Sequence, residues 1–85
     1  MTYDKFWMVL HKMGYQVKWE IEYAEILKDG ITLAKISRKE QGSYTILEEG
    51  QKVLEDKVVM MILSLATTPL DERLIDKVWE MKTND

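Results

Sequence analysis

Residues 58–73 read VVMMILSLATTPLDER, and the nine residues from Val58 to Ala66 hold one polar side chain, Ser64. A bilayer span needs about 20 apolar residues, so a run this short belongs in a core or an interface. At helical spacing the run has two apolar faces. Leu54, Val58, Met61, Ile62 and Leu65 form one stripe, and Val59, Met60, Leu63 and Ala66 form a second. A helix with one stripe covers one surface, whereas a helix apolar on two faces must be covered from two sides. A sheet can take one side. The other falls to a neighbouring helix or to another subunit.

The run stops at Thr68-Pro69. Proline disfavours helix in the residue before it and has no N–H to continue one, yet it suits the first turn of a new helix. The pattern predicts a helix from near Glu48, or from Gln51 because Gly50 weakens the first turn, to Ala66. A third helix is predicted from Pro69 to about Met81, capped by Thr68, with Asp71 completing an approximate capping box. Leu70, Leu74, Val78 and Met81 would line its apolar side, which Ile75 and Trp79 widen. Glu72, Arg73, Asp76, Lys77 and Glu80 would face water.

The N-terminal half reads as one helix and a small sheet. Thr2 is a candidate N-cap, and Asp4 sits in a first turn that favours negative charge. Tyr3, Phe6, Trp7, Leu10 and Met13 form an apolar stripe, and Gly14 suits the left-handed stop. The stretch VKWEIEY then alternates, with Val17, Trp19, Ile21 and Tyr23 on one side and Lys18, Glu20 and Glu22 on the other. Residues 16–28 are one long bent strand or two short ones. Asp29-Gly30 signals a tight hairpin, followed by a strand over Ile31–Ser37. A turn at Gln41-Gly42 leads to a short strand over Ser43–Leu47. The order is helix, two to four antiparallel strands, then two helices packed on one face. That is an α+β fold in one domain, residues 1–85.

Eighty-five residues give a small core, which oligomerisation would help. An apolar fraction of 46% argues against disorder, and the lack of cysteine excludes disulfides and thiolate chemistry. The N-terminus has no secretory-signal pattern, so a cytoplasmic setting is expected. Net charge is −3, whereas nucleic-acid binding usually needs a basic patch. The nearest approach to one is Lys35, Arg38 and Lys39, followed at once by Glu40.

The stretch LAKISRKEQGSYTI and the ending LATTPLDER carry a resemblance. With Gly14-Tyr15 closing the first helix, Ala34-Lys35-Ile36-Ser37 closing a strand and Thr68-Pro69-Leu70-Asp71-Glu72-Arg73, the chain resembles small proteins encoded by phages and prophages of Gram-positive bacteria. It departs from them at Leu47-Glu48-Glu49-Gly50, where many carry an aspartate and aromatic residues. Longer members also continue past the arginine with a Lys/Tyr-rich segment. The resemblance implies a bacterial host cell and brings no activity with it. Small accessory proteins of this kind often act by binding host or phage proteins.

Few residues suggest chemistry. His11 is the only histidine and has no Cys or second His to complete a metal site, so a boundary or surface position beside the apolar stripe is expected. Glu20, Glu22 and Glu25 alternate with apolar residues and read as a wet face. Ser37, Ser43 and Ser64 have no base that the sequence nominates. Trp19, Tyr23 and Tyr44 are the types that stack on bases, but the acidic strand would repel phosphate and core packing is favoured. No catalytic, cofactor or metal role is assigned. The candidate protein interface is Val59, Met60, Leu63, Ile75 and Trp79, serving a host or phage protein or a homodimer. The alternative is a nucleic-acid contact through Lys35, Arg38 and Lys39.

Overall fold

A computed structural model of the chain describes residues 1–74. Helix α1 spans Tyr3–Lys12, opened as expected by the Thr2 hydroxyl, which accepts the Lys5 N–H at 3.2 Å. It closes in a Schellman motif: Gly14 at φ +91° donates to His11 O, and Tyr15 donates to Leu10 O. Leu10 and Tyr15 are both buried, which supplies the apolar contact of that motif.

Four antiparallel strands follow in the order β1-β2-β3-β4: Gln16–Trp19, Tyr23–Lys28, Ile31–Ser37 and Tyr44–Ile46. Residues 16–28 are therefore two strands. Their turn breaks the expected alternation, with Glu20 N–H donating to Tyr23 O at 2.8 Å. Val17 and Trp19 pair with Ile26 and Ala24 on the inner face. Ile21 lies at the tip, 80% exposed, and Tyr23 falls on the outer face opposite buried Ala24. The Asp29-Gly30 hairpin forms as expected, both residues at positive φ. A bulge in β3 at Leu33, between the pairs Leu27–Thr32 and Ile26–Ala34, lets consecutive residues Leu33 and Ala34 both be buried.

On the outer face Lys18 donates to the Glu20 carboxylate at 3.1 Å. That hydrogen bond first, then the charges of Glu20 and Glu25, raise the Lys18 pKa. The pair helps the fold below the ordinary lysine pKa, and the help is lost as pH rises through the raised one. Both side chains are exposed, so it contributes little.

The expected long second helix is two helices, α2 (Glu48–Val53) and α3 (Asp56–Thr67). Leu54 and Glu55 between them are extended, with ψ of 130° and 150°. α2 packs on β3, while α3 crosses β3 and β4 and touches α1. Gly50 makes the first contact possible, since a Cβ there would collide with the Leu33 carbonyl. The core joins Phe6 and Leu10 to Ile26, Ala34 and Ile36, closed over by Val58, Ile62 and Leu65. The expected third helix begins as a 3-10 turn, Leu70–Arg73; the remainder of that expectation, with Ile75, Val78, Trp79 and Met81, lies outside the described residues. Thr68 ends α3 rather than opening a helix. No helix among the described residues is long and apolar enough to cross a membrane.

Candidate functional site

The carboxyl end of α3 organises one end of the molecule. A helix leaves its last four carbonyls without helical partners, and here each finds a donor. Thr68 Oγ1 donates to Ser64 O at 2.7 Å and Thr68 N–H to Leu65 O at 3.1 Å, while Thr67 Oγ1 adds a bond to Leu63 O, one residue earlier, at 2.8 Å. Gly42 N–H reaches Ala66 O at 2.7 Å, and Gln41 Nε2 reaches Thr67 O at 2.8 Å. The Thr-Thr-Pro sequence is thus a helix stop with its own caps.

Arg73 completes this arrangement. The charge pattern of the C-terminal segment places it in water, but it is 0% exposed. The 3-10 turn swings it back under α3. Its Nε donates to Thr68 O at 3.0 Å and its Nη2 to Ala66 O at 3.0 Å. Its Nη1 donates to Ser37 O at 2.6 Å and to the Tyr3 hydroxyl at 3.4 Å. No carboxylate among the described residues pairs with it. The negative end of the α3 dipole, about half an elementary charge, partly takes that role. The last turn of α3 has no basic residue of its own, and the planar fork of an arginine suits diverging carbonyls better than a lysine would.

Tyr3 links this hub to a second arginine. Its ring lies 5.9 Å from the Arg73 guanidinium and 5.2 Å from that of Arg38. Trp19 meets Tyr3 edge-on, centroids 5.3 Å apart, and lies 5.6 Å from Arg38. Arg38 Nη1 donates to Glu20 O at 2.7 Å, which ties β3 to the β1–β2 turn. Beside this cluster opens a cleft of about 430 Å³. It is lined by Tyr3, Arg38 and Lys39, by Ile21 of the hairpin tip, and by Leu70, Asp71 and Leu74 of the C-terminal turn. Ile21 is 80% exposed and Leu74 is 65% exposed, so apolar surface rims a cationic centre.

The sequence-nominated residues are spread out. Met60 is 65% exposed on α3, with Val59 and Leu63 half-buried beside it. Ile75 and Trp79 lie outside the described residues. Lys35 is on the outer face of the sheet, 5.6 Å from the Tyr23 ring, and does not join Arg38 and Lys39. Trp19, Tyr23 and Tyr44 form no shared platform, because Trp19 and Tyr44 pair with inner-face residues and Tyr23 does not. His11 is exposed and stacks on Trp7, centroids 5.0 Å apart. Among the described residues no three His, Cys, Asp or Glu side chains are grouped to hold a metal.

The Tyr3–Trp19–Arg38 cluster escaped the sequence reading because its members come from a helix, a strand and a loop far apart in the chain. No family model, curated protein or solved structure matches this chain.

Proposed function

We propose that the protein acts without catalysis, by binding another protein, and that it is an accessory protein of the phage or prophage kind its motifs resemble. The observation that carries the reading is the mutual contact of Tyr3, Trp19 and Arg38 beside exposed Ile21 and Leu74. Tyrosine, tryptophan and arginine are the residue types that dominate interface hot spots, especially where apolar surface surrounds them. The outer face of α3, with Val59, Met60 and Leu63, is the second surface of this kind, suited to self-association.

Two surface variants separate these surfaces. Ile21→Asp with Leu74→Asp places charge at the cleft, and Met60→Asp places it on α3. All three sites are mostly exposed, so stability should change by no more than about 0.5 kcal/mol. The expected result is a partner retained by the wild type and by Met60→Asp, and lost by the double variant, in quantitative affinity capture from host cells. Loss in Met60→Asp alone, with a change of molar mass by light scattering, would move the interface to α3. A partner set identical for all three proteins would remove the cleft from the proposal.

A further inference from the structure

The cleft holds an unusual balance of charge for this chain. Net charge is −3 overall, but Arg38 and Lys39 both line the cleft and neither pairs with a carboxylate among the described residues. Arg38 spends one N–H on Glu20 O, and its other donors have no acceptor among the described residues. The guanidinium lies within 6 Å of two aromatic rings, a position that holds its plane while leaving an edge to donate. Such an edge matches the two oxygens of a carboxylate.

Three other lining groups are aliphatic: Ile21 on the hairpin tip, Leu70 and Leu74 on the C-terminal turn. A nucleic acid is the poorer match. Phosphate tracks need several cations in line, whereas the residues lining this cleft supply two, Arg38 and Lys39, offset by one carboxylate, Asp71, a balance that suits a single carboxylate.

We infer that the cleft recognises an extended apolar peptide segment bearing a carboxylate, with Arg38 gripping the carboxylate, Lys39 adding charge, and Ile21 and Leu74 holding the flanking aliphatic side chains. This rests on the reading of the cleft as a protein-docking surface and names the chemistry of what docks.

The test uses a fluorescein-labelled, end-capped peptide of alternating leucine and serine with one central glutamate. Its controls are the glutamine-for-glutamate peptide and a labelled oligothymidylate of similar length. Anisotropy gives affinity, and amide shifts on the nitrogen-15-labelled protein give the site. The acidic peptide is expected to bind at least fivefold tighter than its glutamine counterpart and to shift amides of residues 19–22, 38–39 and 70–74. Arg38→Gln should weaken it tenfold or more. Because Arg38 also braces the hairpin, Lys39→Gln is the second variant: its side chain is exposed and braces nothing, and a loss of about threefold is expected.

Equal affinity for the two peptides, shifts confined to other surfaces, or tighter binding of the oligothymidylate would each overturn the inference. Should the acidic peptide fail while the Ile21/Leu74 double variant still loses its cellular partner, the docking surface survives and only the carboxylate chemistry falls.

Discussion

Replacing Arg73 by methionine is expected to destabilise the protein by about 3–5 kcal/mol. The substitution keeps much of the side-chain volume and removes the charge. It leaves Ser37 O and Thr68 O without the donor each now has, in a site closed to water, while Ala66 O keeps the Gly42 N–H. An unpartnered buried carbonyl costs about 1–3 kcal/mol, and two are left so, Ser37 O and Thr68 O. A domain of this size has about 5 kcal/mol or a little more in total, so much of the Arg73→Met protein should be unfolded near physiological temperature. Arg73→Lys should recover part of the loss, because an ammonium can still meet the negative end of α3 but cannot reach three diverging carbonyls. Urea denaturation of the three proteins measures this. A midpoint for Arg73→Met corresponding to less than about 1 kcal/mol of loss would mean that the guanidinium costs as much to bury as its hydrogen bonds return.

The second large effect is expected at Gly50, where two arguments give opposite signs. By helix propensity alone, Gly50→Ala in α2 should stabilise by about 1 kcal/mol. By packing it should do the reverse. The added methyl would enter the space of the Leu33 carbonyl oxygen, which already accepts the Leu47 N–H at 2.9 Å. The obstacle is backbone, so no rotamer change relieves it. α2 must move off β3, exposing part of Leu33, and the net loss should be at least about 2 kcal/mol. Glu49→Ala, one residue earlier and exposed, serves as the control and should stay within about 0.5 kcal/mol of wild type. A raised denaturation midpoint for Gly50→Ala would mean that α2 does not need the close approach to the Leu33 carbonyl.

These two residues also mark where the sequence misleads. Gly50 reads as a weak point in a helix, because its reason is a carbonyl 17 positions away in sequence. Arg73 reads as a solvated residue in a charged segment, because the groups that receive it are carbonyls, which residue identity does not reveal. One signal was available: α3 ends without a basic residue in its last turn, and a nearby arginine is the natural complement to that end. The candidate interface was legible only in part. Of the predicted second face of the 48–66 helix, Met60 is exposed and Ala66 is buried, and the aromatic–arginine cluster draws Tyr3, Trp19 and Arg38 from three elements and left no local pattern to find.

What the sequence determined by itself are the features set within a few residues of chain. Thr2 and Gly14 bound α1, Asp29-Gly30 turns β2 into β3, and Thr67-Thr68-Pro69 stops α3, because capping, positive φ and the missing proline N–H act locally. The α+β class follows from the same signals in order. The tertiary structure decided the rest. It divided the expected 48–66 helix at Leu54-Glu55, where neither glycine nor proline requires a break, so that α2 covers β3 while α3 runs across β3 and β4 to α1. It also turned Ile21 and Tyr23 away from the core and drew Arg73 into it. Those outcomes depend on which surfaces meet across the chain, and a surface becomes buried or exposed only once its distant partner is in place.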